Sequence, residues 1–430
     1  MSSEARRIVK LAACASFQEG YVNPSQRDPG YFGDDYKWLR ATDLNDGFVF
    51  NTSRGLSAKG FASAGKSALL FAPNTLAISK SGTIGRVGIL KDYMCGNRAV
   101  INIKVNPDCD TRFIFYTLLL NRQKIESLAE GSVQKNLYVS SLGRLEFELP
   151  SLPEQVRISE TIGALDDRIA LLRETNATLE AIAQAMFKSW FVDFDPVHAK
   201  QQGRDSPQGG RRGLYGPDGP TTALPEGMSE ATAALFPDSF EESELGLVPR
   251  GWKVERLETF MELSYGKALK ATERIFGEVP VYGSGGITGY HNESLVNGPS
   301  IVIGRKGTVG SLYWEDRPFF PIDTVFYVRS AMPMTYCFYL LQTLGLADMN
   351  TDAAVPGLNR SNVYRLKVLK APEAVLSAFS DVVDVLRGSI FKNNQQAQTL
   401  ATLRDTLLPR LISGQLRLPQ AEAVLEAVSV

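Results

Sequence analysis

Gly60 to Ser67, reading GFASAGKS, fits the G-x-x-x-x-G-K-S spacing with which backbone N–H groups and a lysine cradle nucleotide phosphates. That chemistry needs an apolar strand running into the first glycine and a long helix leaving the serine, so that the helix dipole converges on the anion. Here SRGLSAK precedes the motif and Pro73 soon interrupts the chain. No apolar run ending in a magnesium-binding Asp occurs elsewhere. The octapeptide is expected to be a surface loop whose Lys59 and Lys66 touch a phosphate backbone; a P-loop nucleotide-dependent enzyme using residues 60–67 is the rival reading.

Two glycine-flanked turns, SGTIG from Ser81 and KGTVG from Lys306, carry Thr83 and Thr308, with Lys80, Arg86, Arg305 and Lys306 beside them. Glycine lets backbone approach a ligand closely, and cations there suit phosphate contacts, which position a protein without specifying sequence. YGSGGITGYHN (Tyr282 to Asn292) lacks the spacing and strand-to-helix context of a dinucleotide site; Tyr282 and Ser284 are taken as candidate DNA contacts. Gln134, Lys135 and Asn136 in the first half, and Asn359 and Arg360 in the second, carry groups able to pair with base edges. Each of these is equally well an ordinary loop residue when taken singly.

Other chemistries find no residues. Cys14, Cys95, Cys109 and Cys337 form no C-x-x-C pair, and His198 and His291 are the only histidines, so neither a disulfide framework nor a metal site is expected. Asp195-Pro196 is followed by Val197-His198 rather than by a methyltransferase's Pro-aromatic, and there is no nucleophile elbow or nuclease acid cluster. The chain reads as a binding protein, without catalytic residues or cofactor of its own.

The elements that position these residues come in duplicate. At 430 residues, with 44% hydrophobic and 22% charged, two or more folding units are expected. NLYVSSLGRLEF from Asn136 lies over GLNRSNVYRLKV from Gly357, an offset of 221 residues, and FIFYTLL from Phe113 resembles YCFYLLQ from Tyr336. Each half ends in a helical pattern opened by Pro-Glu, at Pro153-Glu154 and Pro372-Glu373. In the first, Ile158, Ile162, Leu165, Ile169, Leu172, Asn176, Leu179, Ala183, Met186 and Trp190 alternate spacings of four and three. Adding 221 gives Phe379, Val383, Leu386, Ile390, Asn393, Ala397, Leu400, Arg404, Leu407 and Leu411. Two matched heptad seams predict helices that pair with each other, antiparallel and with approximate twofold symmetry, Asn176 and Asn393 fixing the register.

The expected fold is thus α+β: two strand-rich domains and two long antiparallel coiled-coil helices in a tandem repeat. The boundaries read as 1–150, first strand-rich domain; 151–192, central helix; 193–249, a linker with a flexible Gly/Pro-rich stretch; 250–370, second strand-rich domain; 371–416, distal helix; 417–430, tail. The 46 Lys+Arg nearly cancel the 47 Asp+Glu, yet residues 1–150 hold 19 basic against 14 acidic and 250–370 hold 14 against 11. Positive charge belongs to the strand-rich domains, where a polyanion would bind. Met186, Phe187, Trp190 and Phe191 crowd more apolar surface than a two-helix seam buries and are expected to bind a partner; packing against the strand-rich domains is the alternative. No signal-peptide core or membrane-span run is visible, so a soluble, cytoplasmic protein is expected.

TLEAIAQAMFKSWFVDFDPV (Thr178 to Val197) resembles the central conserved segment of specificity subunits of type I restriction-modification enzymes. LPEGMSEATAALFPDSFEESELGLVPRGW (Leu224 to Trp252) is similar to that family's lead-in to its second target-recognition domain, and LLPRLISGQL (Leu407 to Leu416) to its distal conserved end. The first half lacks a counterpart of Pro249-Arg250-Gly251-Trp252, leaving its opening strand undefined, and the Gln201 to Pro220 insertion is longer than the pattern needs. The resemblance implies a non-catalytic subunit that reads a bipartite sequence of double-stranded DNA, one half per domain, with the paired helices as a ruler. It also implies methyltransferase subunits and a restriction/translocase subunit as partners, bringing S-adenosylmethionine, ATP and magnesium. A purely architectural coiled-coil scaffold that binds no DNA is the third reading.

Overall fold

Val100–Val105, VINIKV, is a β-branched run buried along most of its length, and it forms the spine of the first domain's main sheet. The computed structural model describes residues 6–131, 135–205, 228–350 and 357–428. They divide into two units, one built from the chain up to residue 171 together with that from 396 onward, the other from 172–395.

In the first unit, the spine pairs antiparallel with Ala15–Glu19 on one side and Leu76–Ser79 on the other. Val87–Leu90 follows antiparallel, and Gly47–Val49 closes the edge in parallel. A smaller sheet orders Gly55–Leu56, Phe32–Leu39, Met94–Gly96 and Leu70–Phe71. The helix Thr111–Leu120 covers the main sheet with Phe113, Ile114, Tyr116 and Leu118, all buried. Asp110 starts it by accepting the backbone N–H of Phe113 at 2.7 Å.

The second unit repeats the plan. Met261–Tyr265, Val325–Ser330, Ser300–Gly304 and Leu312–Glu315 take the same order as the first four strands of the first unit's main sheet, and Met334–Thr343 is the covering helix. A second sheet joins Gly286–His291, Val279–Gly283 and Phe320–Pro321. The opening strand that the sequence left undefined is Arg7–Lys10, which pairs with Glu146–Leu149 as Lys253–Arg256 pairs with Lys367–Lys370. In both cases the partner strand leads directly into a long helix.

Those helices run Leu152–Phe191 and Glu373–Ile412, 40 residues each, or about 60 Å at 1.5 Å per residue. Ile158, Ile162, Leu165, Ile169 and Leu172 of the first seam are buried, as are Phe379, Val383, Ile390, Leu407 and Leu411 of the second. Within the first unit Arg404 meets Asp166 at 2.7 Å; within the second Arg387 meets Glu180 at 2.7 Å. In the second unit Asn176 meets Asn393 and Glu180 meets Arg387, numbers rising on one helix as they fall on the other, so the pair runs antiparallel there. Asn393 Nδ2 donates to Asn176 Oδ1 at 2.9 Å, and Asn176 Nδ2 to Asn394 Oδ1 at 2.8 Å. A half-buried amide pair of this kind disfavours a slipped register, because a shift would separate the two matched side chains.

Two stretches expected to be irregular carry structure. The 193–249 linker contains the helices Asp195–Asp205 and Glu230–Ala234 and a hairpin of Phe240–Ser243 with Gly246–Pro249. Its Val197 and Phe236 join the second unit's core; the Gly/Pro-rich insertion from residue 206 onward lies outside the described residues. Residues 417–430 hold a helix, Leu418–Val428, whose Leu418 and Ala421 join the first unit's core. Among the described residues no helix is long and apolar enough to cross a membrane.

Candidate nucleic-acid interface

The two glycine turns have one backbone. Gly85 N donates to Ser79 O at 3.0 Å and Gly310 N to Gly304 O at 2.8 Å. Gly82, Gly85, Gly307 and Gly310 all have φ between 73° and 85°, a region that a side chain would strain. One hydroxyl ties each turn, supplied from opposite ends. In the first domain Ser79 Oγ donates to the Thr83 carbonyl; in the second the single Ser311 hydroxyl proton is shared between the Thr308 carbonyl at 3.0 Å and the Ser284 carbonyl at 2.7 Å.

The residue before each turn is pinned twice, which brings the base-edge candidates beside it. Lys80 N donates to Ala99 O at 2.8 Å, and Lys80 O accepts from Leu137 N at 2.9 Å; Arg305 N donates to Thr324 O at 2.9 Å, and Arg305 O accepts from Leu358 N at 2.8 Å. Asn136 therefore adjoins the first turn, and Asn359 and Arg360 adjoin the second. Asn359 caps the short helix Arg360–Tyr364 by accepting Ser361 N–H at 2.9 Å. Thr83, Lys135, Lys306, Thr308 and Asn359 are exposed, and Arg86 is half-buried with its N–H donated to Ser79 Oγ. Gln134 lies outside the described residues.

Side chains make the two sites electrostatically unlike. Lys80 Nζ lies 3.0 Å from Glu19 Oε1, both side chains less than a quarter exposed, so its charge is already neutralised. Position 19 pairs with Ile101 in the first sheet, and Tyr265 pairs with Phe326 in the second; Tyr265 thus stands where the first domain has the acid. Its half-exposed ring has the Arg305 guanidinium at 4.9 Å and that of Arg360 at 4.8 Å from its centroid. Each arginine gives one Nη1 donor to a backbone carbonyl, Arg305 to Asp323 at 3.0 Å and Arg360 to Leu263 at 3.4 Å. Among the described residues no carboxylate pairs with either, so both keep their charge and further donors for a phosphate or a base. Neither Glu19 nor Tyr265 was singled out from sequence, because these two positions are 246 residues apart whereas the seam repeats at 221. The signal that finds them is their common place as the last residue of the opening sheet strand.

Several expected contacts are not surface residues. Tyr282 is buried in a small core with Val302, Phe319, Val325 and Tyr327, and its hydroxyl donates to Glu315 at 2.9 Å. Burial, with that carboxylate, pushes its phenol above the ordinary tyrosine range. It is a folding residue and not a DNA contact. Ser284 is half-buried, its carbonyl accepting from Ser311 Oγ at 2.7 Å, so it braces the second turn. Met186, Phe187, Trp190 and Phe191 do not face an open partner surface. Phe187, Trp190 and Phe191 surround Phe379, with Tyr336, Trp252 and Phe236 completing the cluster, and Met186 packs against the same core. The excess apolar area is covered by the second recognition domain and the distal helix.

The GFASAGKS octapeptide is no phosphate cradle. It spans the end of the short helix Ala58–Ala62 and a single turn, Gly65–Ser67, before the strand Leu70–Phe71. Gly60 is required because a Cβ there would sit 2.0 Å from Tyr31 O, a chain crossing unrelated to any ligand. Lys59 pairs with Asp28 at 2.9 Å, and its hydrogen bond holds that carboxyl below the usual range; Lys66 is exposed. Burial pushes the Cys95 and Cys109 thiols up to about 12, which removes them as nucleophiles.

The sequence model of the type I restriction modification DNA specificity domain matches residues 23–181 and 249–370. The chain is 23% identical to the type I restriction enzyme MjaIX specificity subunit of Methanocaldococcus jannaschii, over 93% of this chain and 91% of that one. It is 28% identical to the HindI specificity subunit of Haemophilus influenzae, over 71% and 77%. The crystal structure of the S subunit of a type I restriction-modification system from M. genitalium superposes with a TM-score of 0.59 at 19% identity, covering 95% of this chain and 96% of that chain. That likeness places the two in one fold.

Proposed function

The chain belongs to the type I restriction modification DNA specificity family, and from that premise we propose that its recognition domains, 1–150 and 250–370, each read one half of an interrupted, asymmetric DNA site. The observation that carries this reading is the doubled turn: one backbone scaffold, with Lys80 and Glu19 at one copy and Arg305, Tyr265 and Arg360 at the other. A shared scaffold with unlike side chains suits two modules that grip DNA in the same way and read different bases. Lys59, Lys66, Thr83, Arg86, Lys135, Lys306 and Thr308 supply backbone contacts, and Asn136, Asn359 and Arg360 approach base edges.

The subunit makes no covalent change itself. It holds methyltransferase subunits that use S-adenosylmethionine, and a restriction subunit joins them with ATP-driven translocation and magnesium, all in the cytoplasm. The helices Leu152–Phe191 and Glu373–Ile412 act as the ruler between half-sites. The test is methylation-sensitive sequencing of DNA from cells carrying the reconstituted methyltransferase. Asn359→Ala with Arg360→Ala should relax one half of the site, and Lys135→Ala with Asn136→Ala the other. A pair that relaxed both halves would defeat the modular reading.

A further inference from the structure

The first long helix meets the second through two carboxylate–arginine pairs, and their signs are distributed unequally between the repeats. In the first unit the Tyr116 hydroxyl donates to Asp166, which also takes Arg404 Nη1 at 2.7 Å. In the second unit the Tyr339 hydroxyl donates to Glu180 at 3.3 Å, and Arg387 Nη1 donates to the same oxygen at 2.7 Å, its guanidinium 4.7 Å from the Trp314 centroid. Position 166 plus the 221-residue offset is position 387. At one and the same place on the two seams, next to the tyrosine of each covering helix, the first repeat carries an acid and the second a base. All four charged side chains are between 11% and 29% exposed, too sheltered for water and salt to screen them fully.

The consequence appears when a seam meets its own copy. With two first repeats paired through this geometry, position 387 would be taken by a second Asp166, set against Glu180. With two second repeats, position 166 would be taken by a second Arg387, set against Arg404. Twofold symmetry would repeat each clash. We propose that Asp166, Glu180, Arg387 and Arg404 form a pairing code by which the seam accepts the unlike repeat and rejects the like repeat of a second copy of this chain. Coiled coils choose partners in this manner, through repulsion in the wrong pair as much as attraction in the right one. The code bears on which two modules are joined, and so stands apart from how either module reads DNA.

The test uses the full chain. Asp166→Arg recreates within it the Arg387–Arg404 encounter of two second repeats, and Arg387→Asp recreates the Asp166–Glu180 encounter of two first repeats. Each should lower the melting temperature by about 5 °C or more. Asp166→Arg with Arg404→Asp, and Arg387→Asp with Glu180→Arg, should each recover at least half of the loss. A packing defect would give no such recovery, and its absence would overturn the proposal. If a single reversal fails to fold, co-expression decides. A chain with Asp166→Arg and Glu180→Arg and a chain with Arg387→Asp and Arg404→Asp satisfy each other's seams, so native mass spectrometry should find a 1:1 dimer of the two, beyond any dimer of wild-type chains. No mixed dimer, or wild-type melting in the single reversals, would overturn the code.

Discussion

Lys80 and Arg305 hold the same backbone position with opposite freedom, one neutralised by Glu19 and the other raised on Tyr265. Replacing Arg305 by alanine should therefore weaken DNA binding across sequences and reduce the slope of log affinity against log salt by about one, the signature of one lost phosphate contact. Lys80→Ala should change that slope by much less and show instead as a loss of stability, since it leaves the sheltered Glu19 carboxylate without its partner. Titrations of the assembled complex at several salt concentrations would separate the two, and equal slopes would show that Glu19 does not neutralise Lys80. Residue types were legible where chemistry is local: the glycines that turn, the cations beside them, the amides of the seam. What a side chain does was not legible where its partner is remote in sequence. Tyr282 looked like a loop aromatic until Glu315, 33 residues on, took its hydroxyl.

At the scale of elements, the end of the first long helix shows how periodicity informs and where it stops. Heptad spacing identified the seam positions of both helices, because it is written in neighbours three and four residues apart. It could not say what covers Phe187, whose ring lies 5.8 Å from both Tyr336 and Phe379, residues from two other elements. Phe187→Ala should then destabilise the protein by about 3–5 kcal/mol, the range for emptying an aromatic site in a core. Urea unfolding with a probe in the second domain would register the loss; a shift within about 0.5 kcal/mol would mean that the ring contributes little to the core. The strands were legible as short apolar runs bounded by turns, but not their pairing. The parallel edge that Gly47–Val49 makes with Val87–Leu90 joins segments about 40 residues apart and leaves no local mark.

For the whole molecule, duplication was the most legible property, since the seam, the covering helix and the turn each recur near one offset. The boundary between the units was not, because it crosses both long helices and assigns half of each to either unit. One heptad inserted after Leu172 and another after Asn393 would lengthen both helices by about 10.5 Å while keeping the seams facing. The assembled enzyme should then keep its half-site sequences and either accept about three more spacer base pairs or lose binding, as methylation mapping would report. Changed bases within a half, or an unchanged spacer at full affinity, would contradict the ruler. The terminal helix Leu418–Val428, with Leu418 and Ala421 in the first core and Arg157 bonded to Glu422 at 2.9 Å, bears on biogenesis. On the ribosome the second unit is complete once residue 395 has emerged, whereas the first, although synthesised earlier, stays open along one side until the last few dozen residues arrive. The nascent chain finishes its inner module before its outer one, and a stop between residue 395 and Leu407 leaves a first domain without Leu407, Leu408, Leu411 and Ile412, its core exposed to chaperones and proteases.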